Sequence, residues 1–422
     1  MSLTSKLPRV GTTIFTVMSR RAQELGAINL GQGFPDYPID PRLPELIYEA
    51  MRAGYNQYAP MPGLPDLREI IALRLARRYP GSFDPEREIT VTLGATEAIY
   101  SAVQALVGAG DEAIVFDPAY DSYEPAIELA GAHCVHVPLE PPRFRYDWER
   151  VAAACTPRTR LIIVNSPHNP GCSCLSAEDL AALAQLAASR DLYLISDEVY
   201  EHILFDGRRH HSALSHPALR ERSVAVYSFG KTLHATGLRV GYAVAPPALT
   251  TELRKVHQFN TFTISTALQW GIARYLAERP ATGEDLGAFF AAKRDRLIAA
   301  LAGQGPREPA ARREAAPLAG WSLPPSEGSF FQLIDYGAMS QARDVEFAEE
   351  LLNRAGVALI PVSVFYREPP RMTLLRACIA KRDDTLDAGA ARLMDYARGA
   401  VAAARTAGAA AGAAARPAGG RS

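Results

Sequence analysis

Between about residues 89 and 246, short apolar runs alternate with helical stretches, and several of the runs end in a motif of small or polar residues. This alternation constrains the fold more than any other feature of the chain. It is the βαβ rhythm of a mostly parallel sheet with helices on both faces, an α/β architecture. Ligands of open α/β sheets bind at the carboxyl ends of the strands, so the residues placed there carry the functional information.

One such motif is Ser228-Phe229-Gly230-Lys231-Thr232, after the apolar run 224–227. A lysine amine condenses with aldehydes, and pyridoxal phosphate is the commonest aldehyde cofactor. Ser228 and the downstream Arg239 are suited to hold a phosphate, although a lone lysine is ordinarily just a solvated side chain. Asp197, in Ile195-Ser196-Asp197-Glu198-Val199-Tyr200, follows the run 191–195. A carboxylate against a pyridine nitrogen keeps that nitrogen protonated, and Tyr200, three residues on, could hydrogen-bond a ring oxygen. Taken alone, Asp197 is equally a helix cap. Asn165-Ser166-Pro167-His168-Asn169-Pro170-Gly171 ends the run 161–164. The following proline keeps Asn169 out of the helical region, though Asn-Pro-Gly by itself is a turn. Thr92-Leu93-Gly94-Ala95-Thr96-Glu97 leads a strand into a helix, whose free N–H groups suit a phosphate. Asp117-Pro118-Ala119-Tyr120-Asp121-Ser122-Tyr123 offers aromatic rings, which are more often core packing than a cofactor platform.

In this order, the motifs resemble the fold-type I, pyridoxal-phosphate-dependent aminotransferases of class I/II, from about residue 7 to residue 393. The likeness is to the methionine and kynurenine aminotransferase branch in particular. It is carried by Gly11-Thr12-Thr13-Ile14-Phe15, Gly31-Gln32-Gly33-Phe34-Pro35-Asp36, Asn56-Gln57-Tyr58-Ala59-Pro60, Asp121-Ser122-Tyr123-Glu124-Pro125-Ala126, Lys255-Val256-His257-Gln258 and Ile360-Pro361-Val362-Ser363-Val364-Phe365. The resemblance implies that Lys231 bonds the cofactor and then shuttles a proton. It implies Asp197 at the ring nitrogen, Tyr200 and Asn169 at the ring oxygen, and Tyr120 on the ring face. Ala95, Thr96, Ser228 and Arg239 would hold the phosphate, with Tyr58 reaching it from a second subunit of a homodimer. Asn165, Arg376 and the backbone of Gly33 would bind the substrate carboxylate. Phe15, Phe262 and Phe331 would line an apolar side-chain pocket. Without the resemblance, Arg376 reads as a surface strand arginine. The implied reaction moves the amino group of methionine, and of other apolar or aromatic amino acids, to a 2-oxo acid.

Some positions depart from the pattern. Cys172-Ser173-Cys174 follows the Asn-Pro-Gly turn where many relatives have other residues. Thr263 stands where some kynurenine-type relatives have histidine, which disfavours kynurenine as the main donor. The segment 303–320 is longer than the branch needs. The rival readings are a kynurenine aminotransferase or cysteine-conjugate β-lyase on the same scaffold, and a non-catalytic cofactor-binding regulator.

The formal charge of −1 argues against a nucleic-acid footprint. No apolar run reaches membrane-helix length, and the first ten residues lack a signal peptide's apolar core. A cytoplasmic enzyme is expected. Five cysteines, an odd and sparse set, read as reduced thiols. Cys172 and Cys174 lack the further ligands of a metal site, so no metal is expected. The expected organisation is an N-terminal segment, 1–43, packing with a small α+β domain, 286–398. The large cofactor domain is 44–285, and 399–422 is a disordered Ala/Gly-rich tail.

Overall fold

The computed structural model describes residues 4–302 and 320–414, with side chains described to residue 400. Most of the long segment 303–320 and the end of the tail, 415–422, lie outside the described residues.

Strand β1 (Ile28–Asn29) comes first, and seven strands of one sheet follow: β2 (Ile89–Thr92), β3 (Glu112–Asp117), β4 (His133–Pro138), β5 (Thr159–Asn165), β6 (Tyr193–Asp197), β7 (Ser223–Ser228) and β8 (Gly241–Val244). Their order across the sheet is β2-β8-β7-β6-β5-β3-β4. β3, β5, β6 and β7 are almost continuously buried, as strands covered on both faces by helices must be. Ser176 caps the helix Ala177–Arg190 in a reciprocal capping box with Asp179.

The sheet is mostly parallel, as expected, and one strand departs from that direction. β8 is antiparallel to both β7 and β2. Its connection from β7 holds only the single turn Phe229–Thr232 and the short turn Thr236–Leu238. With no helix to carry it across the sheet, the chain turns back at the carboxyl edge, which only an antiparallel neighbour allows. That reversal puts Gly241, the first residue of β8, opposite both Ser228 and Thr92. The lysine turn and the small-residue motif thereby become neighbours.

Past the helices Thr266–Glu278 and Leu286–Leu301 come β9 (Phe331–Asp335), β10 (Val357–Ala358), β11 (Ile360–Pro361) and β12 (Leu374–Cys378). β12 is the middle strand of an antiparallel sheet in the order β11-β12-β9, and β10 pairs with β1. The N-terminal segment is thus stitched to the later part of the chain. The last helix runs Asp383–Ala414, beyond residue 398, where the sequence reading began a disordered tail. The stretch is rich in alanine, the strongest helix former, and isolated glycines cost only about 1 kcal/mol each.

Candidate active site

The carboxyl edge of the large sheet gathers the strand-end motifs. Asn165 and Asp197 are register partners on β5 and β6. The Asn165 amide donates to the Asp197 carbonyl at 3.0 Å, and its Oδ1 accepts from the Asn169 N–H at 2.7 Å. Asn169 Oδ1 in turn accepts from Arg376 Nη1 at 2.6 Å. One chain of hydrogen bonds therefore runs from the large sheet into the middle strand of the small one.

Arg376 is only 1% exposed, so it is not a surface arginine. Its Nη2 donates to the Gly31 carbonyl at 3.1 Å, and its Nε is buried with no partner. The guanidinium lies 3.9 Å from the ring centre of Phe331, 5.1 Å from that of Phe15 and 5.2 Å from that of Phe365. Burial pulls its pKa from 12.5 to about 10. Gly33 packs so closely on Phe331 that a Cβ would meet the ring at 2.9 Å. A buried arginine ion-paired to no carboxylate among the described residues, with an orphaned N–H, is suited to a ligand carboxylate.

Asp197 is buried and accepts a 2.5 Å hydrogen bond from the Tyr123 hydroxyl. Burial raises its pKa to about 6, against the opposing pull of Tyr123, the Val199 N–H and Lys231. Such a carboxylate gains from a cationic partner. Lys231 is half-buried, its Nζ 4.9 Å from the ring centre of Phe330 and 5.6 Å from that of Tyr200. Burial lowers its pKa to about 8, so a sizeable fraction of the amine is neutral near physiological pH.

A phosphate cradle lies beside the lysine. Gly94 has φ +69° and opens the helix Gly94–Leu106; a Cβ there would lie 2.8 Å from Arg239 Nη2. A Cβ on Gly241 would sit 2.9 Å from the Ala95 nitrogen. Only glycine leaves room at both places, and the first N–H groups of a helix have no intrahelical partner. Ala95 and Thr96 are in that first turn, and Ser228 caps the lysine turn. The cradle's donors and the buried Asp197 carboxylate fit pyridoxal phosphate at its two ends. Tyr120 is half-buried, with its ring 5.6 Å from that of Tyr123.

Two expected site residues, Tyr58 (expected to act on a second subunit) and Phe262, lie together at the surface of this subunit. Tyr58 is 85% exposed and packs edge-on against Phe262, which is 41% exposed, at 5.5 Å. This pair is not among the rings that contact Arg376 within the subunit. Tyr123, Phe330, Phe365 and Gly94 were not singled out in the sequence as site residues. Tyr123 stood within a quoted motif, but nothing in its spacing pointed to Asp197, 74 positions away. Cys172 and Cys174 are buried free thiols, and Cys172 Sγ donates to the Pro170 and Phe331 carbonyls.

The sequence model of the family described as aminotransferase class I and II matches residues 26–393. The chain belongs to the class I and II aminotransferases. It is therefore a pyridoxal-phosphate-dependent transaminase of α/β fold. This aminotransferase is 49% identical to a methionine aminotransferase of Escherichia coli (strain K12), over 92% of this chain and 97% of that protein. It is 38% identical to a probable N-succinyldiaminopimelate aminotransferase of Mycobacterium tuberculosis, over 92% and 97%. The crystal structure of the Escherichia coli methionine aminotransferase superposes with a TM-score of 0.88 at 48% identity, covering 94% of this chain and all of that one.

Proposed function

We propose that this aminotransferase takes the amino group from methionine, and from other apolar or aromatic amino acids, and gives it to a 2-oxo acid. The observation that carries this is the setting of Arg376: a buried guanidinium with a free N–H, walled by Phe15, Phe331 and Phe365. The guanidinium suits the α-carboxylate through its planar fork. The rings suit an apolar side chain, and a thioether gains about 0.3–1.5 kcal/mol at an aromatic edge. A second carboxylate among those rings would be buried without a partner, which makes aspartate and glutamate poor donors. The 49% identity to a methionine aminotransferase supports the same choice.

Bound pyridoxal phosphate supplies an aldehyde and a protonated ring that draws electrons from the substrate Cα. Asp197 is the partner for the ring nitrogen, oriented by Tyr123. Ala95, Thr96, Ser228 and Arg239 hold the phosphate; Tyr120, Tyr200 and Asn169 hold the ring. Arg376, with Asn165 and Gly33, fixes the α-carboxylate. That presents the Cα proton to Lys231, whose lowered pKa lets the amine take and return it near neutral pH.

We also propose a two-domain subunit, 44–285 and 286–398, with residues 1–43 packed on the second. Two such subunits form a homodimer. Tyr58, Phe259 and Phe262 are exposed large apolar side chains, and surface of this kind marks interaction sites. Tyr58 would enter the partner's phosphate site, and a fully active monomer in sedimentation would overturn that. The free thiols suit the cytoplasm.

The test is kcat/KM over a donor panel with one common 2-oxo acid. Methionine leading supports the proposal, and aspartate outrunning it overturns the pocket argument. Kynurenine outrunning it, or pyruvate released from cysteine conjugates as fast as oxo acid forms, would move the protein to the sister activities.

A further inference from the structure

A groove of about 450 Å³ lies apart from the residues described above. Its walls are the helix Pro65–Arg78, the segment that begins directly after Tyr200, and the connection from Thr266–Glu278 to Leu286–Leu301. A Cβ on Gly287 would lie 2.6 Å from the Leu204 carbonyl, and one on Gly283 would lie 2.9 Å from the His202 ring. The latter two walls are therefore in tight contact.

The groove is strongly cationic in a chain whose formal charge is −1. Five arginines line it against two glutamates, Glu201 and Glu284. Arg78 is neutralised by Glu201 at 2.7 Å, and Arg208 pairs with Glu327 at 2.9 Å. Arg74 is not neutralised. Its two hydrogen bonds, at 3.0 and 2.6 Å, go to the carbonyls of Pro280 and Thr282, which fix it in place but leave its charge. Arg77 and Arg209 are exposed and have no partner among the described residues. Glu284 at the rim offsets only part of this charge. His202 is held neutral, its pKa lowered to about 4 by burial and by Arg78 and Arg74, against the pull of Glu201. His210, also lining the groove, has a buried Nδ1 with no partner.

We propose that this groove binds a small, multiply charged anion through Arg74, Arg77 and Arg209, of the class of pyrophosphate, phosphate esters or polycarboxylates. Planar guanidinium forks match phosphate and carboxylate oxygens two at a time. The volume is in the range of small-ligand sites. Tyr79, the groove's large aromatic, is only 5% exposed, so no open ring face is offered to a nucleobase. A bound anion would tie the helix Pro65–Arg78 to the segment leading out of Tyr200, whose ring faces the Lys231 amine.

The experiment is calorimetric titration of the holoenzyme with pyrophosphate and, separately, with citrate, at ionic strength held constant with chloride. It is repeated on the double variant R77A/R209A. Both side chains are exposed and unpaired, so the variant keeps its melting temperature and its methionine kcat/KM without added anion. Saturable binding weakened by about tenfold or more in the variant is expected. Tighter binding of pyrophosphate marks a phosphate-bearing ligand, and tighter binding of citrate a polycarboxylate; either supports the site. Equal affinity in wild type and variant would place the anion elsewhere and overturn the proposal. So would no saturable binding of either probe up to about 10 mM.

Discussion

Replacing Arg376 by lysine keeps a cation but removes the fork. In the structure the guanidinium spends Nη1 on Asn169 and Nη2 on Gly31, and still has Nε free. A lysine ammonium is one nitrogen on a flexible stem and cannot hold the same set while meeting a carboxylate. Losing one charge-assisted hydrogen bond to substrate costs about 1.5–3 kcal/mol, or roughly ten- to a hundred-fold in kcat/KM. Burial has a second consequence. It lowers the arginine from 12.5 to about 10. The same displacement applied to a lysine, with its ordinary pKa near 10.4, brings it to about 8. The sign follows: Arg376→Lys keeps its substrate cation below about pH 8 and loses it above. The variant's kcat/KM should therefore gain a falling limb near pH 8 that wild type lacks. The assay is kcat/KM for methionine and for its 2-oxo acid between pH 6.5 and 9.5, with the cofactor spectrum checked for full loading. Both substrates carry the same carboxylate and should suffer alike. A loss under about threefold at pH 7.5, or a pH profile parallel to wild type, would refute the role given to Arg376.

Two further outcomes are expected. Tyr123→Phe removes the 2.5 Å donor to Asp197 and should lower kcat by about tenfold or more, the worth of one hydrogen bond to a charged group, with cofactor still bound; unchanged kcat would make Tyr123 a packing residue only. In the apoenzyme, Asp197 has its folded pKa raised to about 6, chiefly by burial. The folded state then holds that proton more tightly than the unfolded chain. Its contribution to stability is complete below about pH 4 and lost as pH rises through 6, by about 3 kcal/mol. Urea unfolding should show the difference between wild type and Asp197→Asn falling by about 2.4 kcal/mol from pH 4 to pH 7.5, and a flat difference would contradict the burial argument.

The strand-end motifs were legible because each is local. Asn165, Asp197 and Ser228 lie in β5, β6 and β7, and an apolar run followed by a polar residue is visible without knowing the fold. What joins them was not legible. The Tyr123–Asp197 bond spans 74 positions, and a tyrosine after a strand is ordinarily packing. The reversal of β8 depends on how tightly residues 229–240 turn, which periodicity does not record. Arg376 sits in a strand that is apolar on both faces, but an arginine is almost never fully buried without a partner, and the partners Asn169 and Gly31 come from distant segments. The Ala/Gly run after residue 398 mixes helix-forming and helix-breaking residues, so its sequence does not mark where the last helix stops. The cationic groove was not legible because its two short arginine clusters, 74–78 and 208–209, are brought together only by the fold.

Lys231 is the residue on which the whole reading turns. The most direct measurement is borohydride reduction of the holoenzyme followed by peptide mapping, with the same treatment of Lys231→Ala. The cofactor should be found attached to Lys231, and the variant should take up no label and show no transamination. An adduct on any other lysine, or transamination surviving in Lys231→Ala, would contradict the assignment.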